Sequence, residues 1–317
     1  MTHSSRLKFW RQYVRSRLRL SSSVKNGNFV SRFGLSRIPI FMISSGGLGN
    51  QLFIVALAHE ISKRRSVIIL YSPLNNRGNL SSELAGFCTH NIAFWNRPVD
   101  HLSAKFPQIF SKIIHYSQGL TLRILNHFAR DVSSSYERNQ SYNLGILLKG
   151  SLQRSEIATL NPDFTSEVIN RIKKEVLRSA AHKKVLCHVR RGDYTSTDYY
   201  GLLAEEYYEK ALRIIGTDSA NFISDDQNVG MQIATSLRGN FLESSGLSPF
   251  ALLGIMYQHE AIVSANSSLS WWGGFLVHYK GGRHLIPTPW LQGTSDEGRW
   301  LQYYGSEDVE SKFEDSR

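Results

Sequence analysis

An α/β fold built on parallel sheets is what this sequence predicts, and three observations carry that reading. Short apolar runs alternate with helical stretches from Ile38 onward, every unusual polar cluster stands directly after a predicted strand, and 317 residues exceed what one hydrophobic core usually serves, so two domains are expected. At 41% apolar and 20% charged residues the chain has a globular composition. No uninterrupted apolar run approaches the ~18 residues of a membrane-spanning helix. Two cysteines, Cys88 and Cys187, exclude a disulfide scaffold or a thiolate-rich zinc site and fit a reducing compartment.

The elements follow in order. Ile40-Phe41-Met42-Ile43 reads as a strand, then a glycine-rich turn, then a helix from about Gln51 to Lys63, then a strand at Val67-Ile68-Ile69-Leu70-Tyr71. Residues 73–150 resist parsing, apart from helical patterns near 101–116 and 119–129. Beyond about 165 strands are predicted at 185–189, 220–223, 261–264 and 284–286, with helices near 204–215, 228–237 and 249–259 between them. The last dozen residues are acidic (Glu307, Asp308, Glu310, Glu314, Asp315) and are expected to fray.

The net charge of +11 invites a nucleic-acid reading, but its distribution argues against one. Residues 1–40 hold nine Lys or Arg and no acid; setting those nine aside leaves +2 for the other 277 residues. Within this arm Leu7, Trp10, Val14 and Leu18 fall at spacings of three and four among arginines. That pattern fits a basic amphipathic helix on an anionic membrane surface, a solvated leader, or an acid-free transit peptide. The organisation expected is an arm over 1–39, a domain over 40–175, a second over 176–305 and an acidic tail over 306–317.

Four polar clusters stand where α/β sheets bind ligands, beyond the carboxyl ends of strands. Ser44-Ser45-Gly46-Gly47-Leu48-Gly49-Asn50-Gln51 offers a close backbone approach and exposed N–H groups at a helix start. It is either a structural turn or a recognition loop, and it matches neither the P-loop nor the dinucleotide fingerprint. In Cys187-His188-Val189-Arg190-Arg191-Gly192-Asp193-Tyr194, a period of two puts His188 and Arg190 on one side of the strand. Two adjacent guanidinium groups there suit phosphate oxygens, with Asp193 holding one arginine or meeting substrate; a structural Arg–Asp pair is the alternative. Ser224-Asp225-Asp226 suggests a divalent metal, acceptors for an N–H-rich base such as guanine, or helix capping. Asn266-Ser267-Ser268-Leu269-Ser270-Trp271-Trp272-Gly273-Gly274 sets hydroxyls at a helix start, and its tryptophans are core anchors or a site wall.

Taken together and in this order, these segments resemble the α-1,2-fucosyltransferases, glycosyltransferase family 11, over roughly Ile40 to Trp290. Gly150-Ser151-Leu152-Gln153-Arg154-Ser155-Glu156 is similar to a further family segment, although Leu152 and Leu269 stand where an aromatic is more usual. The resemblance implies a GT-B-like architecture of two Rossmann-like domains facing a cleft, the acceptor mainly on the first and GDP-L-fucose on the second. It implies inverting transfer to the 2-hydroxyl of a galactose-type residue in a glycan, with no metal and no cofactor besides the donor; a bacterial surface glycan such as an O-antigen suits a cytoplasmic enzyme touching the membrane through its basic arm, which lies outside the resemblance, and a free oligosaccharide suits the motifs equally. On that reading Arg190, with Arg191 near it, steadies the departing GDP, while His188 faces the nucleotide and Asp225 or Asp226 reads guanine. Ser267 and Ser268 hold phosphate, and Gly47, Gly49, Asn50 and Gln51 close the site. Asp193 is the first candidate for general base and His59 the second. A fucosyltransferase of another linkage, or a non-enzymatic adaptor acting through the basic arm, is the rival reading.

Overall fold

The computed structural model describes residues 40–44, 46–63, 66–71, 84, 87, 91–95, 130–131, 147–149, 153–159, 161–175, 184–196, 200–294 and 301–314. The basic arm and the helical patterns expected near 101–116 and 119–129 lie outside them. The first sheet comprises β1 (Ile40–Ser44), β2 (Val67–Tyr71), β3 (Ile92–Trp95), β4 (Arg130–Asp131) and β5 (Leu147–Lys149). All its pairings are parallel, in the order β3-β2-β1-β5-β4, with Ile40 opposite Val67 and Phe41 opposite Leu147. The second comprises β6 (Val185–Val189), β7 (Asn221–Ser224), β8 (Asn240–Phe241), β9 (Ala261–Val263), β10 (Arg283–Thr288) and β11 (Ser306–Glu310). It too is wholly parallel, in the order β11-β10-β9-β6-β7-β8. Counted from its own first strand this is the 3-2-1-4-5-6 order of a Rossmann sheet. All five residues of β6 are buried, as a central parallel strand covered on both faces requires.

Seven helices connect these strands among the described residues: α1 (Leu48–Ser62), α2 (Ser155–Thr159), α3 (Pro162–Glu175), α4 (Glu205–Ile215), α5 (Gln227–Ser236), α6 (Pro249–Gln258) and α7 (Ser268–Tyr279). None is long and apolar enough to cross a membrane. The helices α1 and α7 are apolar on nearly all sides, which a helix can be only when other elements surround it. They pack on each other through Phe53, whose ring lies 4.9 Å from Trp271 and 5.0 Å from Trp272. Both tryptophans are fully buried, which resolves them as core anchors. The helix α3 meets α6, with Arg171 over the Phe250 ring and Ser248 donating to Glu175 at 3.0 Å. One apolar core therefore runs from the first sheet's helices into the second sheet.

Three features depart from the sequence expectation. The tail expected to fray forms β11 along β10 and buries Val309. Its acids are matched by cations, Glu307 by Arg283 and Glu310 by Lys210, each at 2.6 Å. The short β8 carries too few residues to show a period. By contrast α3 had a readable signal, since Phe164, Val168, Ile169 and Ile172 recur at helical spacing and are all buried.

Candidate functional site

Chain order fixes where each sheet can hold a ligand. In the second sheet the chain runs from β6 outward through β7 and β8, then returns to β9 on the other flank of β6. The crevice between the carboxyl ends of β6 and β9 is its topological switch point. In the first sheet the corresponding position lies between β1 and β5. The Gly46–Gln51 turn follows β1, and Gln153 stands four residues after β5, donating to Asn50 Oδ1 at 2.8 Å.

The two switch points touch. A Cβ on Gly49 would collide with Leu269 N, Ser268 C and Ser268 Oγ, so the missing side chain is what lets the start of α1 dock on the start of α7. Trp272 Nε1 completes the joint by donating to the Gly49 carbonyl at 3.0 Å. Neither helix has a side-chain cap: Gly47 precedes α1 and Ser267 precedes α7 without a capping hydrogen bond. Two sets of backbone N–H groups and two positive dipole ends thus meet at one place. Gln51 is buried and donates to the Gly46 carbonyl at 2.8 Å, bracing the turn, and Gly46 has the positive φ of 79° that suits glycine. Gly47 is exposed and a Cβ there would meet nothing.

At the end of β6 the arginines diverge. Arg190, a quarter exposed, is held by two carboxylates: Asp225 Oδ2 lies 2.7 Å from its Nη1, and Asp193 Oδ1 accepts from its Nη2. Arg191 is buried, and its Nη2 is paired with Glu314 at 2.6 Å. Strand alternation explains the split, because consecutive side chains leave a strand on opposite faces. The adjacent two-guanidinium clamp expected from the sequence is therefore an Arg190 gripped by Asp193 and Asp225, and an Arg191 gripped by Glu314. Gly192, at φ 31°, leaves room for Asp225, whose Oδ2 a Cβ there would strike.

Asp225 also accepts the Arg191 N–H at 2.7 Å, so its carboxylate links strand end and clamp. Asp226 caps α5, accepting the Val229 N–H at 3.1 Å, which is the capping alternative among the sequence readings. His188 is buried with Nδ1 lacking any hydrogen-bond partner among the described residues. Burial, reinforced by the Arg190 charge, lowers its pKa to about 3, so the ring is neutral at physiological pH.

Sequence reasoning missed the aromatic floor. Tyr194 lies beneath Arg190, 5.3 Å from ring centroid to guanidinium, and stacks on Tyr200 at 4.3 Å. Its hydroxyl donates to the Asn266 carbonyl at 2.9 Å, tying the β6 end to the β9 end. Asn266 is buried and donates to the Tyr200 and Gly201 carbonyls, a scaffold role. His59 stands ten residues along α1 from Gly49, roughly 15 Å at helical rise. There it packs on Phe164 and bonds the Phe87 carbonyl, so it is a core histidine and not a base for this site. At the opposite, amino ends of β6, β9 and β10 lies a groove of about 650 Å³ lined by Lys184, Glu260, Lys280 and Arg283. Its cations are already engaged, Arg283 by Glu307, Lys184 by Glu260 and Lys280 by the Tyr257 carbonyl.

No family model matches the chain. An α-1,2-colitosyltransferase of Escherichia coli is 28% identical over 280 residues, covering 78% of this chain and 91% of that protein. The O-antigen biosynthesis glycosyltransferase WbnK of Escherichia coli is 26% identical over 132 residues, 36% of this chain and 44% of that protein. Among solved structures, the Escherichia coli heptosyltransferase WaaC with ADP is similar over 86% of this chain and 93% of that one, at 8% identity and a TM-score of 0.46. The sequence relatives are glycosyltransferases. With two Rossmann-like parallel sheets joined at their switch points, the chain is a glycosyltransferase of GT-B-like architecture.

Proposed function

We propose that this enzyme transfers L-fucose from GDP-L-fucose to the 2-hydroxyl of a galactose-type residue, inverting the anomeric centre, in the synthesis of a bacterial surface glycan such as an O-antigen. One observation carries the reading: Arg190 stands after β6 and the uncapped start of α7 after β9, on either side of the switch point, where a diphosphate is best received. The fucosyl donor and the α-1,2 linkage rest on the sequence resemblance and on the linkage named for the colitosyltransferase relative.

In the proposed step the acceptor 2-oxygen bonds to the sugar's anomeric carbon as the bond from that carbon to the β-phosphate oxygen breaks. The electron pair leaves with GDP, where Arg190 and the N–H groups of α7 meet the growing charge. Phosphate oxygens arriving at Arg190 compete with Asp193 for the guanidinium. That competition frees the Asp193 carboxylate to take the proton of the acceptor hydroxyl. His188, neutral and unpartnered, offers one hydrogen bond to the nucleoside, and the second oxygen of Asp226 is available to guanine. Arg191 supports the site from behind the strand, and Asn50 with Gln51 shapes the other wall.

A second reading follows from that relative: the transferred sugar is the 3-deoxy analogue of L-fucose, colitose. Thermal-shift titration in EDTA, followed by NMR of the product, tests both. GDP and a GDP-linked 6-deoxy-L-sugar should raise the melting temperature where UDP and CMP ligands do not, and the new glycosidic proton should correlate with C2 of galactose. Stabilisation by UDP-sugars alone overturns the proposal, while turnover of GDP-colitose without GDP-fucose selects the second reading.

A further inference from the structure

The last described residues form a strap. Leaving β11, Ser311 donates through N–H to the Thr288 carbonyl at 2.8 Å and through its hydroxyl to the Pro289 carbonyl at 2.6 Å. The Lys312 carbonyl accepts the Ala204 N–H, Phe313 pairs with Leu203 as an antiparallel bridge, and the Glu314 N–H donates to the Leu202 carbonyl. These bonds cross the chain just ahead of α4 and deliver Glu314 Oε1 to Arg191 Nη2.

Arg191 is 2% exposed, and its Nε and Nη1 have no hydrogen-bond partner among the described residues. Among those residues Glu314 is the one carboxylate within ion-pair distance of it. A buried guanidinium deprived of its counter-charge is left uncompensated, so the strand end that carries Arg191 must shift to relieve it. Asp225 is tied to the same stretch of backbone, its Oδ1 accepting the Arg191 N–H while its Oδ2 holds Arg190.

We infer that Glu314 is a positioning residue. By neutralising Arg191 it holds the strand end whose backbone N–H anchors Asp225 against Arg190, and so sets the guanidinium that meets the departing diphosphate. The inference rests on the proposed role of Arg190 and adds to it Glu314, 123 positions beyond Arg191 in the chain.

Steady-state kinetics on Glu314→Gln, Arg191→Met, their double variant and Arg190→Ala separate the two claims. Lys210→Gln, which removes the equally short but exposed pair with Glu310, is the control. Glu314→Gln should lower kcat about tenfold with acceptor KM within about twofold. Arg191→Met should do the same, and the double variant should be no worse than either, because residues acting as one unit are not additive. Glu314→Asp, which keeps the charge on a shorter arm, should recover part of the loss, and Lys210→Gln should match wild type. Wild-type kcat in Glu314→Gln, losses that multiply in the double variant, or a lower melting temperature at unchanged kcat each overturn the inference. Arg190→Ala should fall on the order of 10²–10³ in rate. If it turns over normally, the parent proposal fails, whatever Glu314→Gln does.

Discussion

Arg190 and Asp226 carry opposite lessons about single residues. Asp225 and Asp193 bind the Arg190 guanidinium before any ligand arrives, so an incoming phosphate exchanges one carboxylate for another anion and does not meet a bare charge. Asp226, by contrast, already has a structural duty as the cap of α5. Asp226→Ser keeps a capping oxygen and removes the carboxylate, whereas Asp226→Ala removes both. Urea melts should show a loss of about 1 kcal/mol for the alanine variant and little for serine. Calorimetric titration should show both weakening GDP alike if the carboxylate reads guanine; GDP affinity unchanged in Asp226→Ser would restrict the residue to capping. The strand-end clusters were legible because hydrophobic runs end abruptly at His188-Val189-Arg190 and at Ile223-Ser224-Asp225. That Arg191 turns inward to Glu314 was not legible, since no local period links residues so far apart in sequence.

The decisive contact between elements is the docking of the α1 start on the α7 start. Each was readable alone, from the glycine turn and from Asn266-Ser267-Ser268, yet nothing local announces that they meet. The contact depends on both sheets presenting their switch points to one another. Gly49→Ala should therefore do more than a usual surface change, because its Cβ meets backbone atoms of Ser268 and Leu269 that cannot rotate away. A destabilisation of about 1–3 kcal/mol is expected for such overpacking. It should appear in the thermal melt together with weakened GDP binding, whereas Gly47→Ala, whose Cβ is unobstructed, should leave both near wild type. The strand β11 was illegible for a related reason. An acidic segment with one buried apolar residue, Val309, is a strand because β10 offers it an open edge and Arg283 pairs with Glu307; the exposed pair of Lys210 with Glu310 adds little.

Across the whole molecule, buried neutral histidines couple folding to pH. His188 and His284 both have pKa values lowered to about 3 by burial, and His284 bonds Ser264 and Tyr303 through its two ring nitrogens at 2.7 Å. The unfolded chain takes up those protons near pH 6.5, so stability is full above that pH and declines as the pH falls toward 3. At pH 5.5 each histidine should cost on the order of 1 kcal/mol relative to neutral pH. Urea midpoints at pH 7.5 and 5.5 check this, and His284→Gln should make the difference smaller, leaving the part owed to His188 and to the other buried histidines with lowered pKa values, His59 and His259. The wider architecture was readable, because alternation of strand and helix dictates parallel sheets, whereas strand order required the structure. From that order comes the claim that a nucleotide diphosphate lies between the ends of β6 and β9. A crystal structure with GDP tests it most directly. The phosphates should lie within hydrogen-bonding distance of Arg190 and the first N–H groups of α7, with Asp193 displaced from the guanidinium. Phosphates bound instead in the groove at Lys184 and Lys280, or bridged to Asp225 by a divalent ion, would contradict the account.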